Sequence, residues 1–132
     1  MKLPTLDEFI TSCANYPLIP SSSYVSFPNF KSLYVRYGPR YIPYVDDQKK
    51  MNVFTISNMT AKKSNSGMII KLLSHMIENH PQTTYFIIES VLNERLQSKC
   101  KRMKFNLFGD DYPPTYYASY NEVKEMIKER RE

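Results

Sequence analysis

The residues best placed to do chemistry are gathered at one turn, Ala61-Lys-Lys-Ser-Asn-Ser-Gly67, between a strand-like run and a helical run. The N–H groups of a helix's first turn have no partner within the helix and converge at its start, so such a turn suits a ligand that carries phosphates. Asn65 tolerates the left-handed conformation, Ser64 and Ser66 offer caps, and Gly67 lets a ligand approach the backbone closely. The amides of Ser66 to Ile70 would then face a pyrophosphate, with Lys62 and Lys63 adding charge of the right sign. The same Ser-Asn-Ser-Gly run equally describes an ordinary capped helix start. Glu89 is the only acid on either of the two central strand candidates. Cys13 and Cys100 lie far apart and share no ligand spacing with histidine, so no metal site is expected. His75 and His80 have no serine or cysteine nucleophile placed beside them, which leaves a hydrolase triad unsupported.

The elements that must position these residues are legible from periodicity. Met51 to Thr60 reads as an apolar strand, and Met68, Ile69, Leu72, Leu73, Met76 and Ile77 recur at helical spacing. Tyr85 to Val91 reads as a second buried strand leading into a helix over 93–103. Two strands joined by a helix make a βαβ core over 51–91, whose strands should run parallel with a right-handed crossover.

Around that core the chain predicts an N-terminal helix over 5–14, opened by a Thr5/Glu8 capping box and followed by a linker from Leu18 to Ser23. Hairpin strands are expected over 24–45, with a turn at Gly38-Pro39, a return strand from Arg40 to Val45, and a connection over 46–50. In the run Lys31 to Tyr37, Ser32, Tyr34 and Arg36 share one face while Leu33, Val35 and Tyr37 share the other. Short strands and a terminal helix fill 105–132, the helix opened by Ser119 with Glu122 and striped by Val123, Met126 and Ile127. The expected fold is a single α+β domain: a mixed, mostly antiparallel sheet with a central βαβ crossover and helices on both faces.

At 132 residues the chain can bury a core without disulfides or metals. Its longest apolar runs span a few residues, and its N-terminus lacks a continuous apolar stretch, so neither membrane insertion nor secretion is expected and a cytoplasmic location is. The net charge of +5 suits an anionic cofactor, an acidic protein or nucleic acid, and equally suits a solvated surface.

That order of elements, with these residues, resembles the Gcn5-related N-acetyltransferase superfamily, and within it small bacteriophage acetyltransferase-like proteins. The likeness covers roughly Phe27 to Tyr117. It is carried by Ser32-Leu-Tyr-Val-Arg-Tyr-Gly-Pro-Arg-Tyr41 before the core and Val91-Leu-Asn-Glu-Arg-Leu96 after it. The superfamily's fingerprint, Gln or Arg, two variable residues, Gly, one variable residue, then Gly or Ala, falls on Ser64 to Ile69. Gly67 matches its first glycine, while Ser64 and Ile69 depart from it.

The resemblance implies acetyl-CoA as cosubstrate and a primary amine as acceptor, carried by a host protein if the chain is a phage product acting in host cytoplasm. It implies that Ser64, Asn65, Ser66, Gly67, Met68 and Ile69 hold the pyrophosphate. Asn58, Met59 and Thr60 would pair with the amide-rich arm of coenzyme A where the core strands splay, and Asn93 would help hold it. Asn93 reads equally as a helix N-cap. Glu89 becomes the candidate base, with pairing to Arg36 or Arg40 as its alternative. Cys100 stands where the family often has the Tyr that protonates the departing thiolate, and its alternative is a small core residue. Lys104-Phe105 stands where the family closes with Gly-Phe. Ser64, Cys100, Lys104 and the acid-free first core strand favour a second reading, a catalytically degraded fold that serves as a binding module for a host protein or nucleic acid.

Overall fold

The computed structural model describes residues 2–15, 18–42, 45–62, 67–110 and 112–131. Its elements are α1 (Leu6–Cys13), β1 (Ser21–Tyr24), β2 (Phe30–Ile42), β3 (Asp46–Ala61), α2 (Met68–Asn79), β4 (Tyr85–Ile88), α3 (Glu94–Arg102), β5 (Asn106–Leu107), β6 (Tyr116–Ser119) and α4 (Tyr120–Arg131). The strands form one sheet in the order β1-β2-β3-β4-β6-β5. Among the strands of the described residues, β3 and β4 are the one pair that runs parallel, from Val53↔Tyr85 to Ile56↔Ile88, and α2 is the crossover between them. The expected mixed sheet with a central βαβ unit is what forms.

Alternation along the strands separates the two faces of the sheet. Leu33, Val35, Tyr37, Phe54, Ile56, Phe86, Ile88, Tyr116 and Ala118 turn to one face and join a single core. The buried side chains of all four helices pack into that same core. Helices were expected on both faces; instead they gather on one, and two crossovers explain most of this. From β3 to β4 and from β4 to β5 the chain steps across the sheet in the same direction, so right-handed connections place α2 and α3 together. The opposite face carries a smaller cluster, Ile42, Val53 and Ile87, flanked by Met51, Tyr85, Phe108 and Tyr117. In α2 the residues Leu72, Leu73 and Met76 are fully buried, each worth about 1.5–3 kcal/mol of apolar burial.

The hairpin differs from its expected form. Gly38 and Pro39 lie inside β2, paired with Val53 and Asn52, and the strand runs on to Ile42, paired with Asp46. The turn therefore lies beyond Ile42, and Pro43 and Tyr44 fall outside the described residues. Gly38 is needed for a close approach: a Cβ there would meet Pro20 Cα at 2.8 Å. Pro39 is tolerated because β1 pairs with β2 only as far as Tyr37, which leaves Pro39 on an edge. The expected 46–50 connection is the start of β3. The expected linker over 18–23 gives its three serines to β1, which Tyr24 completes, drawn into the sheet by register with Tyr34 to Tyr37.

Both capping boxes form. Thr5 Oγ1 accepts the Glu8 amide while Glu8 accepts the Thr5 amide, and Ser119 and Glu122 do the same for α4. Buried Tyr37 satisfies its hydroxyl on Thr83 Oγ1 at 3.0 Å and Asn52 Nδ2 at 2.9 Å.

Candidate functional site

The parallel pair at the centre of the sheet comes apart. The last paired residues are Ile56 and Ile88, with one further bond from the Glu89 amide to the Ile56 carbonyl at 3.0 Å. Past that point β3 continues to Ala61 against β2 alone. Val35 pairs with Ile56 but Tyr34 pairs with Asn58, so Ser57 is an extra residue, a bulge that bends β3 at the point of divergence.

On the other side the chain turns away just after β4. Ser90 adopts a positive φ of 48°, its amide donates to Thr115 Oγ1 at 3.0 Å, and the Val91 amide donates to the Pro114 carbonyl at 2.8 Å. Gln97 Nε2 then donates to the Val91 carbonyl at 2.7 Å, which fixes the start of α3 against the bend. Among the described residues, main-chain groups of β3 over Asn58–Thr60 therefore have no strand opposite them on the β4 side, which leaves a notch between them and Glu89–Leu92. Asn58 and Thr60 are exposed and Met59 is partly buried.

The start of α2 follows directly from the end of β3. Gly67 is its N-cap, in the left-handed region at φ 70°, and makes no side-chain capping bond. Its carbonyl accepts the Lys71 amide at 3.1 Å, the first bond of the helix. The N–H groups of Met68, Ile69 and Ile70 thus lack intrahelical acceptors, and a Cβ on Gly67 would meet nothing within 4 Å. Ile69 itself is buried, so its side chain belongs to the core and only its backbone is available to a ligand. Lys63, Ser64, Asn65 and Ser66 lie outside the described residues. The helix begins after Gly67, so the capping position expected for a serine is held by the glycine.

Glu89 sits at the mouth of the notch. Ser57 Oγ donates to Glu89 Oε1 at 2.8 Å, and Arg36 Nη2 lies 3.4 Å from the same oxygen. The carboxylate thus pairs with Arg36, on the helix-free face of the sheet. Arg40 instead donates to the buried Thr55 hydroxyl at 3.2 Å. Burial lowers the Arg40 pKa, the Glu89 charge opposes that shift, and the guanidinium stays cationic.

Asn93 is the N-cap of α3, its Oδ1 accepting the Leu96 amide at 3.1 Å, which leaves its Nδ2 as a donor near the notch. Cys100 is fully buried. Burial pushes its thiol up to about 12, outweighing the adjacent Lys99 that would favour a thiolate. A sulfur sealed in the core meets no departing group from outside, so Cys100 packs as a core residue here, and the acid role attached to its position is not supported by this placement.

The Lys104-Phe105 departure is smaller than its letters suggest. Lys104 adopts φ 62°, its amide bonds to the Lys101 carbonyl, and the Phe105 amide bonds to the Cys100 carbonyl. That is a Schellman ending, and Lys104 occupies the left-handed position glycine usually fills. Sequence reasoning missed Ser57, because a bulge has no side-chain signature, and Thr115, which acts from a distant loop.

No known family model matches the chain, and no curated protein matches it. The fold nevertheless matches solved structures. A Tyr-to-Phe mutant of the AtaT toxin, bound to the C-terminus of the antitoxin AtaR and acetyl-CoA, superposes with a TM-score of 0.54 at 8% identity, over 72% of this chain and 61% of that one. The KacTA–DNA complex matches with a TM-score of 0.52 at 9% identity, over 96% of this chain and 89% of that one. AtaT complexed with acetyl-methionyl-tRNA matches with a TM-score of 0.51 at 10% identity, over 92% of this chain and 82% of that one. In the first of these matches the chain spans less than two thirds of the toxin's length. With its parallel pair split beside a helix N-terminus and a final strand inserted between β4 and β5, the chain has the α+β fold of the Gcn5-related N-acetyltransferases.

Proposed function

We propose that this protein binds acetyl-CoA in the notch between β3 and β4 and transfers the acetyl group to a primary amine by direct attack. The divergence of the two strands past Ile56 and Ile88, beside the uncapped start of α2, carries this reading. Free backbone groups over Asn58, Met59 and Thr60 suit an amide-rich arm, and the amides of Met68 and Ile69 behind Gly67 suit a pyrophosphate. Ser64, Asn65 and Ser66 complete that turn in the proposal, and the Asn93 Nδ2 adds a donor. Glu89 takes the amine proton, directly or through water, because an amine near pKa 10 is mostly charged at neutral pH.

For the acceptor we favour an amine on a host-cell protein, with the chain a bacteriophage product in the host cytoplasm. The likeness of Ser32–Tyr41 and Val91–Leu96 to phage proteins supports this. The AtaT complex with acetyl-methionyl-tRNA supports an acceptor carried on nucleic acid instead, to which a net charge of +5 is suited. Incubating the protein with acetyl-CoA and each acceptor class, and following acetyl incorporation, decides between them.

The burial of Cys100 favours a second reading, a binding module that keeps the fold without the chemistry. Thermal unfolding with acetyl-CoA separates the two. A ligand at a hundredfold excess over its dissociation constant adds about 2.7 kcal/mol of stability. A rise in Tm that grows with acetyl-CoA supports the transferase; no rise leaves the binding module.

A further inference from the structure

Away from the notch, α1 and α2 are joined by a cluster that the proposed chemistry does not use. His80 Nε2 lies 2.6 Å from Asp7 Oδ1, and His75 Nε2 lies 2.9 Å from the same oxygen and 3.0 Å from Oδ2. The ligand atoms of Asp7, His75 and His80 all fall within 4.8 Å of one another. We propose that these residues form a binding site for a divalent transition-metal ion of the zinc class.

The donor set selects the metal. Imidazole nitrogens suit zinc and its borderline neighbours, while calcium and magnesium take oxygen ligands. A tetrahedral ion about 2.1 Å from each donor sets the donors about 3.4 Å apart. The two histidine-to-aspartate contacts would lengthen by less than an ångström to reach that spacing, and the imidazole nitrogens, within 4.8 Å of each other, would close by at most about 1.4 Å.

The surroundings favour a cation. His80 caps the C-terminal end of α2, where the helix dipole is negative, and the last turn of α2 holds no basic residue to offset it. Asp7 supplies the formal charge from the first turn of α1. The ring of His75 is held edge-on by Phe27 at 5.1 Å between centroids. Asn79 Nδ2 donates to the His75 carbonyl at 3.0 Å and lies 3.3 Å from the other ring nitrogen of His75, which keeps the ring in place.

An entry path exists as well. Asp7 and His75 border a cavity of about 560 Å³, shared with Thr5, Ser26, Phe27 and Lys62. Three protein ligands leave a fourth position open toward that cavity for water or a small anion. The ion would staple the N-terminal helix to the crossover helix.

The test uses the full chain stripped with chelator and titrated with Zn²⁺ alone by calorimetry, with Co²⁺ as a spectroscopic probe. One equivalent is expected to bind and to raise Tm. The Co²⁺ spectrum should be that of nitrogen and oxygen donors, without the charge-transfer band of a thiolate. His75→Gln, His80→Gln and Asp7→Asn should each weaken binding at least about tenfold. His75 is the partly exposed histidine, so His75→Gln with an unchanged circular dichroism spectrum serves as the folded control. Zn²⁺ uptake equal in the wild type and His75→Gln, or a thiolate band from Cys13 or Cys100, overturns the proposal.

Discussion

Ser57 and Glu89 are joined across the mouth of the notch by a hydrogen bond of 2.8 Å, from the bulged residue of β3 to the residue that follows β4. The bond holds the carboxylate at the place where the parallel strands part. It also links two features that look unrelated along the chain, an extra residue in one strand and a lone acid after another.

If Glu89 accepts the amine proton, Glu89→Gln keeps the shape and loses the base. Acetyl transfer should then fall by about 10²–10⁴-fold, while the thermal shift produced by acetyl-CoA stays that of the wild type. Unchanged transfer in this variant would remove Glu89 from the mechanism and leave its bonds to Ser57 and Arg36 as structural ones.

Two backbone positions with positive φ should respond in opposite directions. Lys104, at φ 62°, holds a conformation that costs an L-residue about 1–2 kcal/mol, so Lys104→Gly should raise stability by about 1 kcal/mol. Its ion pair with Glu129, at 3.8 Å between exposed groups, gives up little in exchange. Gly67→Ala should lower stability by about 1 kcal/mol through φ alone, since its Cβ enters open space, and it should also weaken acetyl-CoA binding. Urea midpoints at unchanged m value report the stability changes, and calorimetry with acetyl-CoA reports the second effect.

The buried thiol and phenols make the fold sensitive to alkali. Burial raises the folded pKa of Cys100 to about 12 and raises those of Tyr37 and Tyr116. For a group raised on folding, stability is fully present below the unfolded pKa and is lost as pH climbs toward the folded one. For Cys100 that window runs from about 8.5, the free thiol value, to about 12. Urea midpoints should hold steady from pH 7 to 8 and fall above pH 9. Cys100→Ala should fall less steeply than the wild type, though from a lower start because of the cavity it leaves. An identical alkaline slope in the two proteins would show that the thiol is not sealed.

What the sequence determined by itself was the order of elements and their local chemistry. The 3.6-residue stripe of α2, the alternation of Leu33, Val35 and Tyr37, and the capping boxes at Thr5 and Ser119 are short-range patterns, and each formed as read. The start of α2 at Gly67 was legible for the same reason, because a helix start is a local event.

Only the tertiary structure decided the rest. Gly38-Pro39 carries the letters of a turn, but its conformation answers to Pro20, packed against it across the sheet. The parting of β3 from β4 depends on a bulge at Ser57 and on pulls from Thr115 and Pro114, none of them neighbours in the chain. Asp7 meets His75 and His80 for a like reason: two helices share one face of the sheet, and handedness of the crossover, not spacing along the sequence, put the N-terminal helix within reach of the histidines.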